Sequence, residues 1–452
     1  MKIVIAGAGK FGKELVKQLS QDKHDIIVID NKPSVIEDVV NEYDVMGFCG
    51  NGASYQTQLN ASVKKADLFV ATTSTDEANI LCCLVAKKLG VKQTIARVRN
   101  PEYALQAQIM REELGVTLTL NPDLDTAREI FRILRFPSAI KVDSFAKGKV
   151  DLVEIKLEPG SLVANKSLIE IKEKYQVKIL VCAVKRGEQI IIPNGYFVLQ
   201  EGDYLYITGE AKELSSAFRK LKLFKNKLKS SLIVGGGKIT YYLASLLIEN
   251  GISVKIIENQ KEVCKQLSEL LKGALVIYGD ATNQKLLLEE GVETTGSLIT
   301  LTGMDETNII VSTFAKGLTD NKIITKVNNP NYDVILNSVG LESVVSPKDI
   351  FCSHIIRHVR GMGNNKGSEF KTLYRLVGNK VEALEFVIPK ETKYTSIPIK
   401  DLHIKNNYLL ACIIRNNHVI IPNGFDTIEP HDSVIIVTTN TSVKDVSDIL
   451  EK

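Results

Sequence analysis

The 452-residue chain contains one sequence pattern twice, and the two copies are offset by about half its length. The segment Asp76-Glu77-Ala78-Asn79 returns 229 residues later as Asp305-Glu306-Thr307-Asn308. The segment Ile192-Pro193-Asn194-Gly195 returns at the same distance as Ile421-Pro422-Asn423-Gly424. Matches at one offset in distant parts of the chain predict a tandem duplication. Each half is therefore expected to fold alike, and a site in one half has a counterpart in the other.

Within each copy the pattern changes once. Residues 1 to about 120 alternate short Val/Ile runs with helical segments such as Lys13 to Leu19, which predicts βαβ units around a parallel sheet. From about residue 148 the order becomes strand, helix and three further strands, which predicts a smaller and mostly antiparallel unit. The predicted fold class is α/β, with two tandem copies of a Rossmann-type parallel-sheet domain, each followed by a small α+β domain.

These patterns also predict where the domains begin and end. The two Rossmann domains are assigned to residues 1–140 and 225–365, and the two small domains to residues 141–224 and 366–452. The basic segment Arg219 to Lys229 is predicted to be a solvated helix end and linker between the halves. The glycine-rich segment Gly361 to Gly367 is predicted to be a flexible joint in the second half.

Composition excludes several classes of protein. A net charge of +4 provides no concentrated basic face for nucleic acid. No apolar run approaches the roughly 18 residues that cross a bilayer. Since the chain passes from Met1 straight into a strand pattern, we expect no signal peptide and a cytoplasmic location. Seven cysteines without a Cys-x-x-Cys spacing favour a reducing compartment over a disulfide framework or a zinc site.

A glycine-rich turn follows the first predicted strand. Gly7-Ala8-Gly9-Lys10-Phe11-Gly12 connects a Val/Ile run to a helical pattern, and the next strand ends in Asp30. In a dinucleotide-binding turn the first glycine permits the bend, the second lets the backbone approach pyrophosphate, and the third lets the helix lie close to the sheet. The helix N-terminus offers free N–H groups to phosphate. We predict a nucleotide site here, the alternative being that the glycines serve packing alone.

Other residues are placed at the same edge of the predicted sheet. Asp30 is expected to accept hydrogen bonds from a ribose diol, and its carboxylate would repel a 2′-phosphate, so NAD(H) is favoured over NADP(H). Thr73 and Ser74 follow a strand at the edge where open α/β sheets bind ligands. Arg97 ends another strand there, and it either contacts the cofactor or stays an exposed charge. Lys10 either adds a positive charge near phosphate or stays solvated.

The second copy keeps the turn but changes its third glycine. Gly235-Gly236-Gly237-Lys238-Ile239 follows a strand, and Glu258 takes the place of Asp30. Thr240 stands where the first copy has Gly12, and we expect its β-branched side chain to push the helix from the sheet or to distort the loop. Whether this copy binds nucleotide stays open, and the first copy is expected to bind dinucleotide more tightly.

The sequence offers no group for catalysis. A dehydrogenase needs an acid or base beside the nicotinamide, and none of the six histidines follows a predicted strand end at that position. His354 and His358 lie four apart on a predicted helix, but no third ligand or glutamate accompanies them as in His-Glu-x-x-His. Flanking arginines favour a solvated or partner-facing helix. We therefore predict no catalytic residues and no metal site.

The order of these motifs resembles the TrkA family, the peripheral nucleotide-binding subunits of bacterial and archaeal Trk potassium-uptake systems. Both halves resemble the modules that regulate conductance of potassium, called RCK or KTN, with their small C-terminal domains. The segments that carry the resemblance are the glycine-rich turn, Asp30, Gly50-Asn51-Gly52-Ala53, Ala66-Asp67, Asp76-Glu77-x-Asn79 and Arg97-Val98-Arg99-Asn100-Pro101. One departure is Asn51, since the second copy keeps the family acid in Gly279-Asp280-Ala281-Thr282.

The resemblance implies that the chain binds NAD(H), with ATP or ADP as further candidates. It also implies a homo-oligomer, a ring beneath a Trk-type potassium-translocating membrane subunit, and so a peripheral place on the inner face of the cell membrane. The helix Asp123 to Leu134 and its counterpart near Ile350 to Val359 are expected to contact that partner. The binding residues carried over are Gly7 to Phe11, Asp30, Thr73, Ser74, Arg97, Gly235 to Ile239 and Glu258.

The leading hypothesis is therefore a nucleotide-sensing regulatory subunit of potassium uptake without enzymatic activity. The alternative is an NAD-dependent oxidoreductase, which would need the missing acid or base and a second domain large enough for a substrate pocket. A third hypothesis is an NAD-sensing transcription regulator, which would need a helix-turn-helix module and a basic face. The duplication leaves no segment for such a module.

Overall fold

The computed structural model describes residues 1–22, 24–145, 149–223, 228–362, 369–376, 381–440, 443 and 445–451. Within these ranges two parallel six-stranded sheets alternate along the chain with two antiparallel five-stranded sheets. The predicted duplication and fold class are confirmed. No helix in these ranges is both long enough and apolar enough to span a membrane.

The first parallel sheet has the strand order 3-2-1-4-5-6, which is the order of dinucleotide-binding folds. Its strands are β1 (Lys2–Ala6), β2 (Asp25–Asp30), β3 (Met46–Cys49), β4 (Leu68–Ala71), β5 (Gln93–Arg97) and β6 (Leu118–Leu120). Its helices are α1 (Lys10–Ser20), α2 (Pro33–Glu42), α3 (Tyr55–Asn60), α4 (Asp76–Lys88), α5 (Pro101–Leu105), α6 (Ala107–Glu112) and α7 (Pro122–Arg135). Because the strand order reverses between β1 and β4, a crevice opens beside the turn that follows β1.

The first small unit contains more elements than the sequence predicts. They are β7 (Ala139–Phe145), β8 (Val150–Lys156), α8 (Leu168–Tyr175), β9 (Leu180–Arg186), β10 (Gln189–Ile191), β11 (Tyr204–Glu210) and α9 (Ala211–Lys220). Strand β7 escapes prediction because a register shift near Lys141 interrupts its alternation of buried and exposed side chains. The basic segment after α9 is not wholly solvated, since Leu221 is buried. Its residues 224–227 lie outside the described ranges.

The second copy repeats this order. Its parallel unit comprises β12 (Ser230–Val234), α10 (Lys238–Glu249), β13 (Ser253–Glu258), α11 (Lys261–Leu270), β14 (Ala274–Tyr278), α12 (Gln284–Glu289), β15 (Ser297–Thr300), α13 (Asp305–Lys316), β16 (Lys322–Lys326), α14 (Asp333–Ser338), β17 (Val344–Val345) and α15 (Pro347–Met362). Its small sheet comprises β18 (Glu369–Leu376), β19 (Val381–Val387), β20 (Tyr408–Arg415), β21 (His418–Ile420) and β22 (Ser433–Thr438). Of the predicted flexible joint, Gly361 and Met362 end α15, and residues 363–367 lie outside the described ranges.

The helix that follows each Rossmann unit packs on the Rossmann unit of the other half. Helix α7 packs on α10 of the second copy, where the Asn121 Nδ2 amide donates to the Tyr242 hydroxyl at 3.0 Å. Helix α15 packs on α1 of the first copy, where Lys348 Nζ lies 3.6 Å from Glu14 Oε2. Each small unit therefore shares a hydrophobic core with the Rossmann unit of the other half. The two small sheets also share a core with each other.

This packing changes the expected role of α7 and α15. Their apolar side chains, which include Ile130, Ile133, Ile355 and Val359, are buried inside the chain. The prediction that these helices form the surface for a membrane partner is therefore wrong for their apolar faces. Amphipathic sequence predicts that a helix face is covered, but it does not tell whether a partner or the other half of a duplicated chain covers it.

Candidate nucleotide-binding site

The glycine-rich turn of the first copy has the backbone that a phosphate-binding turn needs. Gly7 has φ +94°, and a Cβ there would lie 2.7 Å from the backbone nitrogen of Thr73. Gly9 caps α1 in an extended conformation, and no atom lies within 4 Å of where its Cβ would be. Lys10 begins α1 and is exposed. The N-terminus of an eleven-residue helix thus faces open space at the C-terminal edge of the sheet.

Asp30 holds this turn in addition to its predicted role toward ribose. Its Oδ2 accepts a hydrogen bond from the Ala8 N–H at 2.8 Å, and its Oδ1 accepts one from the Lys32 N–H at 3.0 Å. From the other side, Thr72 Oγ1 donates to the Gly7 carbonyl at 2.7 Å. The sequence did not single out Thr72, because its contact depends on the neighbouring strand β4.

A buried asparagine organises the predicted residues at the ends of β4 and β5. Asn79 is fully buried, and its Oδ1 accepts hydrogen bonds from both the N–H and the hydroxyl of Thr73, at 2.6 and 2.7 Å. Its Nδ2 donates to the Arg97 carbonyl at 2.9 Å. Ser74 is exposed. The repeated Asp-Glu-x-Asn motif therefore positions Thr73 beside Arg97, a role that sequence reasoning missed.

Arg97 is a buried cation. The alternative that it is an exposed charge, which the sequence left open, is therefore wrong. Its side chain is 6% exposed, and its Nη2 donates to the Thr73 carbonyl at 2.5 Å. The guanidinium carbon lies 4.9 Å from the centre of the Phe11 ring. Burial lowers the pKa of Arg97, and its Nε has no hydrogen-bond partner within the described structure. A buried cation with an unused donor fits an incoming phosphate.

In the second copy, the acid and the turn keep the same arrangement. Glu258 accepts hydrogen bonds from the N–H groups of Gly236 and Gln260, at 2.5 and 2.8 Å. Gly235 has φ +100°, close to the +94° of Gly7, so the predicted loop distortion by Thr240 is absent.

Thr240 is accommodated by the position of the helix. A Cβ at Gly12 would lie 1.9 Å from the Gly7 oxygen, whereas Thr240 Oγ1 lies 2.6 Å from the Gly235 oxygen as a hydrogen-bond donor. The carbonyl and the helix must therefore stand farther apart in the second copy. Lys326 stands at the position that corresponds to Arg97, and burial lowers the pKa of Lys326 as well.

The histidine pair on α15 lies away from both turns. His354 is half-buried, with its Nε2 3.9 Å from Asp125 Oδ2 of α7, and burial lowers the pKa of His354 to about 3. Helix α15, expected to be solvated or partner-facing around this pair, packs on α7 of the same chain. Among the described residues no three His, Cys, Asp or Glu side chains are grouped to hold a metal ion.

Removal of the Asp30 carboxylate tests the first site. Asp30→Ala is expected to weaken NADH binding by about 1–2 kcal/mol, the order of a charge-assisted hydrogen bond, as measured by calorimetric titration. Asp67→Ala is the matched control, since Asp67 also accepts a backbone N–H, from Lys2, but at the opposite edge of the sheet. Unchanged NADH affinity in Asp30→Ala would count against this assignment.

Comparison with known proteins reproduces the tandem arrangement. A family model for the TrkA-N domain matches residues 3–122 and 231–347, and one for the TrkA-C domain matches residues 152–222 and 383–451. The Trk system potassium uptake protein TrkA homolog of Archaeoglobus fulgidus is 32% identical over 451 residues, which cover 99% of this chain and 100% of that protein. The Trk system potassium uptake protein TrkA of Halomonas elongata is 28% identical over 458 residues, covering 100% and 99%.

Two solved structures share the fold. The GsuK RCK domain superposes with a TM-score of 0.64 at 17% identity, covering 98% of this chain and 92% of that one. The GsuK channel bound to NAD superposes with the same TM-score and identity, covering 97% and 77%. Both Rossmann copies and both small units match the family models, and the similarity to the relatives extends over their full length. The chain therefore belongs to the TrkA family.

Proposed function

We propose that the chain is the nucleotide-sensing regulatory subunit of a Trk-type potassium-uptake system and acts on a potassium-translocating partner in the membrane. The observation that carries this proposal is the duplicated dinucleotide turn beside a buried cation, in a chain of the TrkA family. The full-length relatives are named Trk system potassium uptake proteins. The chain would work on the cytoplasmic face and reach the membrane through its partner.

NAD(H) is the proposed ligand. Asp30 and Glu258 place carboxylates where a 2′-phosphate would be repelled. Arg97 and the N-terminus of α1 provide positive charge for pyrophosphate. ATP and ADP carry the same phosphate chemistry and are the second candidates. A GsuK channel of the same fold has been solved with NAD bound, which supports the first choice.

Nucleotide binding at the first site would reach the other half through a stack of side chains. Arg97 lies over Phe11, and the Phe11 ring contacts the Phe351 ring of α15 edge to face, with centres 5.4 Å apart. Because α15 leads into the second small unit, a phosphate that attracts Arg97 would change what α15 packs against.

The size of the expected response favours several sites acting together. Moving a gate from mostly closed to mostly open needs about 5.5 kcal/mol of differential binding. A single site with tenfold preference supplies only about 1.4 kcal/mol. Four or more such sites would suffice, so we propose a homo-oligomeric ring.

The surface of the Rossmann units supports assembly. Large apolar side chains are exposed at equivalent places of the two copies, Leu81 of α4 and Ile310 of α13, with exposures of 48% and 61%. Ile109 of α6 and Val334 of α14 are also exposed, at 57% and 79%, although they do not occupy equivalent positions of the two copies. Apolar side chains exposed at the same positions in both copies are typical of a surface that another copy covers.

Charge on this surface is expected to break the ring. The double variant Leu81→Arg with Ile310→Arg should shift the protein toward the monomer mass in light scattering after gel filtration, because a buried arginine without a partner opposes association. Leu162→Arg, a change at an exposed leucine of the small unit, is the control and should leave the mass unchanged. A ring that persists in the double variant would place the assembly surface elsewhere.

The proposed function is tested first on the purified chain. Titration with NADH and with ADP should show binding without turnover of NADH in the presence of small carbonyl substrates. Membranes that contain the Trk transport subunit should retain the chain, and membranes without it should not. NADH oxidation at a steady rate, with no retention by these membranes, would support the oxidoreductase hypothesis and contradict the proposed regulatory function.

A further inference from the structure

The first peptide unit of the glycine turn is held at both ends in both copies. In the first copy its carbonyl, that of Gly7, accepts from Thr72 Oγ1, and its N–H, that of Ala8, donates to Asp30. In the second copy the carbonyl of Gly235 accepts from Thr240 Oγ1, and the N–H of Gly236 donates to Glu258. The acid comes from the same strand each time, but the hydroxyl does not.

The hydroxyl reaches the carbonyl from opposite sides of the turn. Thr72 directly follows β4, and Leu301 stands at that position in the second copy. Thr240 lies in the first turn of α10, and Gly12 stands at that position in the first copy. Each copy thus has one threonine and one residue without a hydroxyl at these two positions, in exchanged order.

The space between helix and turn explains why the threonine on the helix and the threonine after the strand do not occur in the same copy. A Cβ at Gly12 would lie 1.9 Å from the Gly7 oxygen and 3.0 Å from Thr72 Oγ1, so the first copy has no room for a side chain on the helix. Thr72 and Thr240 are both buried, with exposures of 4% and 0%. A buried carbonyl that lost its donor would be left unsatisfied, which is costly. In the second copy, Thr240 therefore supplies the hydrogen bond that Thr72 supplies in the first copy, and the turn keeps its conformation.

We infer that Thr72 and Thr240 are positioning residues for nucleotide, each fixing the first peptide of its turn so that the following N–H groups face phosphate. This inference rests on the proposed function, and it assigns nucleotide binding to the second copy as well as the first. Neither threonine is aimed at the ligand, since both hydroxyls donate to the turn.

The test measures each site alone in the full chain. Gly9 and Gly237 each have no atom within 4 Å of a Cβ position, so Asp fits there and places a carboxylate where phosphate would bind. Gly237→Asp blocks the second site and leaves the first able to bind, whereas Gly9→Asp blocks the first and leaves the second able to bind. NADH is titrated by calorimetry into each background, with Thr72→Val added to the former and Thr240→Val to the latter. Each valine variant is expected to bind about five-fold more weakly.

Serine variants and a distant threonine separate positioning from general loss of stability. Thr72→Ser and Thr240→Ser keep the hydroxyl and should bind as their backgrounds do. Thr208→Val is the matched control, because Thr208 is 1% exposed and donates to the Asp151 carbonyl at 3.1 Å in the small unit. It should lower the melting temperature without changing NADH affinity. The pair Thr240→Gly with Leu301→Thr recreates the first copy's arrangement and should restore binding lost in Thr240→Gly.

Two results would overturn the inference. One is equal NADH affinity for the valine and serine variants at either site. The other is no NADH binding in the Gly9→Asp protein while the Gly237→Asp protein binds, which would leave Thr240 without a nucleotide to position. Absence of NADH and ADP binding in the unmodified chain is a different result, and it would defeat the proposed function itself.

Discussion

Gly12→Ala is expected to abolish NADH binding at the first site and to destabilise the first Rossmann unit. The added Cβ would lie 1.9 Å from the Gly7 oxygen and 2.9 Å from the Gly7 carbonyl carbon, and both are backbone atoms of the turn. No rotation of a side chain relieves such a contact, so α1 or the turn must move. Overpacking typically costs about 1–3 kcal/mol and occasionally more, and we expect the upper end.

The measurement compares two alanine variants of one turn. Gly9→Ala adds the same methyl group where no atom lies within 4 Å and where φ is −67°, so its unfolding midpoint in denaturant should equal that of the unmodified chain. Gly12→Ala should unfold at lower denaturant and should lose the NADH binding that remains in the Gly237→Asp background. A Gly12→Ala protein with unchanged midpoint and unchanged NADH affinity would contradict the close approach of helix and turn.

Arg97→Met is expected to weaken NADH binding without lowering the stability of the nucleotide-free protein. The guanidinium is 6% exposed, and its Nε lacks a hydrogen-bond partner among the described residues. Burial lowers the pKa of Arg97, the direction expected when removal from solvent penalises a cation. A methionine of similar length removes that penalty. The melting temperature without nucleotide should therefore stay or rise, while first-site NADH affinity should fall at least about tenfold.

Arg186→Met provides the contrast. Arg186 forms two hydrogen bonds, each 2.8 Å long, with the carboxylate of Asp203, which is fully buried. Removing this arginine leaves a buried carboxylate unpaired and should cost about 3–5 kcal/mol, with NADH affinity unchanged. If Arg97→Met destabilised the nucleotide-free protein as much as Arg186→Met does, Arg97 would be a structural residue and the phosphate assignment would fail.

The first site could be predicted in outline because its determinants are local in sequence. The spacing of Gly7, Gly9 and Gly12 and the acid at the end of the next strand are enough to predict a turn between strand and helix. That these residues bind nucleotide stays a prediction, as do the domain limits at residues 140, 224 and 365. The repeat extends the same outline to the second copy.

What could not be predicted depends on contacts between distant segments. The hydroxyl of Thr72 reaches the turn from the end of a neighbouring strand, and Arg97 lies over Phe11, whose ring contacts Phe351 of α15. Of the two effects expected of Thr240, the loop distortion is absent, and the hydrogen bond from its hydroxyl to the Gly235 carbonyl is not evident from the sequence. Sequence patterns describe each element, whereas these features arise only when elements from separate strands and copies meet.

Control of potassium uptake by nucleotide binding to this chain is measurable as potassium uptake in living cells. Cells that lack the chain are supplied with the unmodified protein, with Gly12→Ala, or with Thr208→Val, and potassium uptake is measured after potassium depletion. We expect that deletion lowers uptake, that the unmodified protein restores it, and that Gly12→Ala restores it far less than Thr208→Val, a destabilised variant outside the turn, at equal protein levels. Uptake that is unaltered by deletion, or restored equally by Gly12→Ala and Thr208→Val, would refute control of uptake by nucleotide binding.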